Sequence, residues 1–289
     1  MQIAAFERHG TEAIGVVVSD GIVDLSPRLP EAATIIEVIT RWSEYHSLFA
    51  SAARGPADFA LADVRLLAPV PRPSKILAIG LNYADHVRET GLPMPKAQIW
   101  FSKHGNGINA PFGSIEKPPV SDALDYEAEL VAIIGKRCRN VPKARAKEVI
   151  FGYCVGNDVS VRDWQLRSPQ WMIGKSFDSH APIGPWITTA DQFQPEGQSI
   201  TASVNGELRQ RSTLDQLIFD CTDQIAELSQ AMTLEPGDLI FTGTPGGVGM
   251  GFQPPRYLAV GDVVRVEIEG LGAIENHVVP GSGATMIAW

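Results

Sequence analysis

The stretch Asp125-Tyr126-Glu127-Ala128-Glu129-Leu130-Val131-Ala132-Ile133-Ile134-Gly135 decides how this chain folds. In a strand, alternate side chains share a face. Asp125, Glu127 and Glu129 then lie on one face with Val131 and Ile133, while Leu130, Ala132 and Ile134 lie on the other. Both faces of the later half are apolar, so the strand is expected to be buried on both sides. Carboxylates at the entrance of a buried strand repel one another, and they need a cation or raised pKa values. Oxygen-only donors favour a hard cation such as Mg2+, Mn2+ or Ca2+. A solvated acidic strand end is the other reading.

Outward from this strand, short apolar runs dominate. IAAFER, AIGVVVSD and IVDLS are broken at His9-Gly10 and Asp20-Gly21, and Asp-Gly between apolar runs signals a hairpin. A helical pattern follows over about 33–50, with Ile35, Ile36, Ile39 and Leu48 among its apolar positions. Pro69-Val70-Pro71-Arg72-Pro73 cannot hold a helix and marks a boundary. A small N-terminal α/β domain is expected over 1–68 and a larger one over 69–289. In the larger part, KILAIGLN and GYCVGNDVS read as strands, and YADHVRET as a short helix stopped at Gly91. A short helix is expected near 143–149 and another over about 222–232. SITASVNGELRQRS reads as a hairpin around Asn205-Gly206, and GDLIFTG, GDVVRVEIEG and GAIENHVV read as strands. Strands do not alternate regularly with helices. The expected class is therefore α+β with a large mixed or antiparallel sheet system, not a doubly wound sheet.

Four other segments carry chemistry. Asp158 ends the apolar run FGYCVGN, and Arg162 and Gln165 follow at helical spacing. A ligand-bearing strand end and a plain Asp N-cap both fit. His86 and Glu89 stand three apart on one helix face, either as a general base with its orienting carboxylate or as a surface pair. Lys175 sits in the mostly apolar WMIGKSF, where a buried ammonium needs an anionic partner and a surface one would snorkel. Thr242-Gly-Thr244-Pro-Gly-Gly-Val-Gly-Met-Gly251 lacks the ending of a P-loop and the helix of a dinucleotide site. It fits a loop that offers amides and hydroxyls to a small anion.

Composition removes other classes. Hydrophobic residues make up 44% of 289 and charged residues 20%, which is ordinary for a globular chain. No apolar run reaches the ~18 residues of a membrane span. The net charge of −9 and the lack of a basic patch argue against nucleic acid. Cys138, Cys154 and Cys221 form neither a CxxC pair nor a disulfide ladder, so a reduced, cytoplasmic protein is expected.

Six ordered pieces resemble the fumarylacetoacetate hydrolase family: GLNYADHVRETG, DYEAELVAIIGK, GYCVGNDVSVRDWQ, GKSFD, PGDLIFTGTPGGVG and VGDVVRVEIEGLG. They span nearly all of 75–279, and the likeness is greatest to members acting on 2,4-diketo acids. The resemblance implies the family's β-roll catalytic domain behind a small N-terminal domain. It implies Glu127, Glu129 and Asp158 as metal ligands, with Mg2+ expected and Mn2+ or Ca2+ as substitutes. It implies His86 and Glu89 as a water-activating dyad on a mobile lid helix, and Arg162, Gln165, Lys175 and Thr244 as substrate contacts, with Lys175 or Gln165 also stabilising an oxyanion. The implied reaction is metal-dependent C–C hydrolysis of a 2,4-diketo acid to pyruvate and a carboxylic acid. Oxaloacetate decarboxylation, or isomerisation or tautomerisation of an unsaturated keto-diacid, is the alternative. A homodimer acting on a small anionic keto acid is expected. Leu81, the Pro-Gly-Gly of the glycine-rich loop and Lys103-His104-Gly-Asn-Gly depart from the family pattern and bear on the substrate.

Overall fold

The computed structural model describes residues 1–30, 33–90 and 93–287; the side chains of His86, Glu89 and Thr90 are not among them. The chain opens with an antiparallel meander of β1 (Gln2–Arg8), β2 (Thr11–Val18) and β3 (Gly21–Asp24). His9 and Gly10 form the first turn with φ of 52° and 80°, the left-handed values that a two-residue hairpin requires. The second turn falls on Ser19-Asp20, one residue earlier than Asp20-Gly21. Gly21 instead starts β3, where a Cβ would stand 2.8 Å from the Phe59 carbonyl oxygen. The helical pattern over 33–50 resolves into α1 (Ile35–Thr40) and α2 (Trp42–Ala52), broken at Arg41 with φ −104° and ψ 29°. The Thr34 hydroxyl caps α1 by accepting from the Glu37 amide.

The rest supplies β4 (Ile76–Gly80), α3 (Ala84–Thr90), β5 (Ile99–Lys103), β6 (Ala128–Ile134), β7 (Ile150–Asn157), α4 (Arg162–Leu166) and β8 (Ala181–Thr189). It ends with β9 (Ser199–Val204), β10 (Glu207–Thr213), α5 (Cys221–Ala231), β11 (Leu239–Phe241), β12 (Val263–Ile268) and β13 (Gly272–Pro280). The expected short helix near 143–149 is a 3-10 segment. The main sheet runs β3-β2-β1-β8-β7-β6-β11-β4-β5, antiparallel except at β11–β4. A second sheet runs β10-β9-β12-β13 and closes on Ile115–Lys117. Mixed sheets with few helices make the class α+β.

β6 is buried on both faces, as its sequence implies. Leu130, Ala132 and Ile134 pack with Val266, Ile268 and Ile274 of the second sheet. Val131 and Ile133 pack with Val38, Ile39 and Phe49 of α1 and α2. The core and the β1–β8 pairing, Gln2 to Thr188 and Ile3 to Ile187, thus both pass across the boundary expected near 68. Three strands separate β7 from the edge strand β5, yet the Lys103 ammonium at the end of β5 lies 2.6 Å from Asp158 just past β7. The sheet curls back on itself there, which is the geometry of a roll.

Candidate metal centre

The antiparallel register of β6 and β7 sets Glu129 opposite Gly156. Glu127 and Asp158 therefore emerge at the same end of the sheet. Backbone bonds fix them further: the Asp158 amide donates to the Glu127 carbonyl, and the Glu127 amide donates to Asn157 Oδ1, both at 2.9 Å. Glu127, Glu129 and Asp158 are all buried, and one oxygen of each lies within 4.8 Å of the others. Asp125 is not part of this group. Its carboxylate accepts from the Gly249 and Met250 amides and from Arg162 Nε, so it anchors the glycine-rich loop. The backbone leaves the strand between Asp125 and Ala128, which breaks the alternation that would align Asp125 with Glu127.

Three cations answer the acids. The Lys175 ammonium donates to Glu127 Oε2 at 2.7 Å and Asp158 Oδ2 at 2.8 Å. The Lys103 ammonium donates to Asp158 Oδ1 at 2.6 Å. Arg162 Nη1 lies 2.6 Å from Glu127 Oε1, and it also donates to Gln165 Oε1 at 3.0 Å. Arg162 Nη2 is buried with no hydrogen-bond partner among the described residues. Burial opposes ionisation of Glu127, but Lys175 and Arg162 more than reverse it and hold the carboxyl at about 2. Among the described residues Glu129 accepts from the Gly243 amide alone, at 2.7 Å. Burial first, then Asp158 and Glu127, push its carboxyl well above the ordinary value. Burial lowers Lys175, but its two carboxylates raise it above the usual lysine value; for Lys103, with one, burial wins and the value falls.

The donor set fits a hard divalent cation: three convergent carboxylates and, among the described residues, no histidine or cysteine in the group.

Of the residues singled out in the sequence, Glu127, Glu129, Asp158, Arg162, Gln165 and Lys175 come together. Thr244 lies in the glycine-rich loop, where its hydroxyl accepts from Gln210 Nε2 at 2.8 Å. His86 and Glu89 fall on α3, but their side chains lie outside the described residues. Lys103, which the sequence marked only as part of an unusual glycine-rich stretch on the substrate side, joins the acids directly. The signal was there in period two: Ile99, Phe101 and Lys103 share a face, and the Phe101 ring centroid lies 5.0 Å from the Lys175 ammonium.

A rolled mixed sheet with three buried carboxylates converging at one strand end is suited to holding a divalent cation. The chain belongs to the fumarylacetoacetate hydrolase family: the family model described as fumarylacetoacetate (FAA) hydrolase C-terminal matches residues 75–279. It is 42% identical over 269 residues to oxaloacetate tautomerase Fahd2a, mitochondrial, of Rattus norvegicus, covering 91% of this chain and 85% of that one. The structure of maleylpyruvate hydrolase from Sphingobium sp. SYK-6, in complex with manganese(II) ion and pyruvate, is similar at 34% identity and a TM-score of 0.84. That match covers 98% of this chain and 100% of that one. A 5-carboxymethyl-2-hydroxymuconate delta-isomerase from Mycobacterium smegmatis is similar at 35% identity and a TM-score of 0.78, over 97% of this chain and 100% of that one. Family membership makes the protein an enzyme of a hydrolase, isomerase and tautomerase group, with the fold that the sequence resemblance implied.

Proposed function

We propose that the protein is a divalent-cation-dependent enzyme acting on a small anionic 2-keto acid, with keto–enol tautomerisation of an oxaloacetate-like substrate as its reaction. The observation that carries this reading is the buried triad Glu127, Glu129 and Asp158 with Lys175 set between two of its members. The triad would hold Mg2+ or Mn2+, which when bound supplies Lewis-acid polarisation of a keto group and charge for an enolate. Lys103 and Lys175 offset two of the three carboxylates, and Arg162 offsets Asp125. A dication added to that balance leaves the site positive and selects an anion. The buried donor of Arg162 Nη2 would be satisfied by a substrate carboxylate. Lys175, held by two carboxylates, would give or take the proton of the enolate.

The identity to the rat tautomerase over nine tenths of the chain favours this reading over C–C cleavage. Cleavage of an acylpyruvate is the second reading, supported by the spacing of His86 and Glu89 and by the pyruvate bound to the Sphingobium hydrolase.

The test follows enol absorbance and pyruvate release side by side, on oxaloacetate and a panel of acylpyruvates, after chelation and after return of Mg2+ or Mn2+. Loss of the oxaloacetate enol band without pyruvate, restored by metal, is the expected result. Pyruvate release from an acylpyruvate would install the second reading. In that case His86→Ala should lose roughly 10²–10⁴ in cleavage. Its metal affinity should stay unchanged, because His86 is not a proposed ligand. Inactivity on both substrates with metal present would overturn the chemistry as a whole.

A further inference from the structure

We propose that Lys103 is a positioning residue that restricts Asp158 to one oxygen as a ligand; the inference rests on the metal site proposed above. The Lys103 side chain is fully buried and donates to Asp158 Oδ1 at 2.6 Å and to the Val159 carbonyl at 3.2 Å. The other carboxylate oxygen, Oδ2, shares Lys175 with Glu127 Oε2. Oδ2 is thus turned toward Glu127, while Oδ1 is turned onto β5. Hard cations accept a carboxylate through one oxygen or both. A 2-keto acid that chelates through its carboxylate and its keto oxygen needs two adjacent positions. Lys103 keeps Asp158 from taking a second one. The same strand face carries Phe101, whose ring lies under the Lys175 ammonium. One strand therefore holds the cation on Oδ1 and steadies the cation on Oδ2.

The experiment is calorimetric titration of Mn2+ into wild type, Lys103→Met and Lys103→Gln, then of pyruvate and of acetate into each Mn2+-loaded protein. With Oδ1 released, Mn2+ should bind roughly tenfold tighter and pyruvate roughly tenfold weaker. Acetate carries the same single charge but needs only one position, so its affinity should hold within about twofold. Equal losses of acetate and pyruvate would overturn the proposal, since lost charge alone would then account for both. Weaker or unchanged Mn2+ binding in the variants, with normal wild-type binding, would overturn it while leaving the metal site standing. No Mn2+ binding by wild type would overturn both. Lys103→Gln is polar and one bond shorter; it decides the question if the apolar variant does not fold.

Discussion

Glu129 is the residue on which the site's charge turns. Among the described residues it accepts from one amide and pairs with no cation, and the charges of Asp158 and Glu127 outweigh that of Lys175. Glu129→Gln removes that conflict at nearly constant shape. The variant should melt above metal-free wild type, yet bind Mn2+ about 100-fold or more weakly; thermal scans with and without Mn2+ read both effects. His180 carries a second prediction. It is fully buried, its Nε2 meets the Glu116 carbonyl at 2.8 Å, and its Nδ1 has no partner among the described residues. Burial lowers it to about 4 from 6.5. The unfolded chain therefore binds the extra proton first as pH falls, so stability present above 6.5 is lost between 6.5 and 4. The loss at pH 5 is about 2 kcal/mol relative to pH 7. Urea denaturation of His180→Gln should show that much less pH dependence. Lys175 could be read from sequence because an ammonium inside an apolar stretch demands an anion. Its acidic partners on other strands follow only from the register. Lys103 demanded the same, but the glycines after it made it look like turn.

At the scale of elements, strand period two was the strongest guide, and it placed both faces of β6 correctly. Helix boundaries were weaker. The split at Arg41 follows no proline or glycine, and the 3-10 segment over 143–149 has the composition of an ordinary helix. Close approach in β7 was also invisible. A Cβ on Gly156 would stand 2.5 Å from Val131 Cγ2 and 2.8 Å from the Phe241 ring, two residues before Asp158. Gly156→Ala should cost roughly 1–3 kcal/mol in stability by overpacking. It should also weaken Mn2+ binding, because moving β7 moves Asp158. Denaturant melts and metal titration of the same variant check the two parts together. A stability loss with unchanged metal affinity would mean that β7 absorbs the strain before it reaches Asp158.

For the whole molecule, a cation bound only by the folded state should raise the melting temperature. At a hundred times its dissociation constant the gain is about 2.7 kcal/mol, and a chelator should remove it. A homodimer is the assembly we propose, and light scattering should return twice the chain mass of 31.2 kDa. A value at the single-chain mass would reject it. The order of ordinary strand and turn signals was enough to suggest α+β. The interlock of the N-terminal part with the rest was not, because no local pattern connects Ile3 with Ile187 or Phe49 with Val131.

That interlock has a consequence in time. During synthesis at about 5–20 residues per second, some 10–40 s separate the appearance of Ile3 from that of its partner Ile187. Through that interval α1 and α2 rest on the meander, but the edge of β1 that pairs with β8 stays open. The nascent chain therefore carries that strand edge unpaired until nearly two thirds of the protein exists. The rate of translation across β6 to β8 sets how long that exposure lasts.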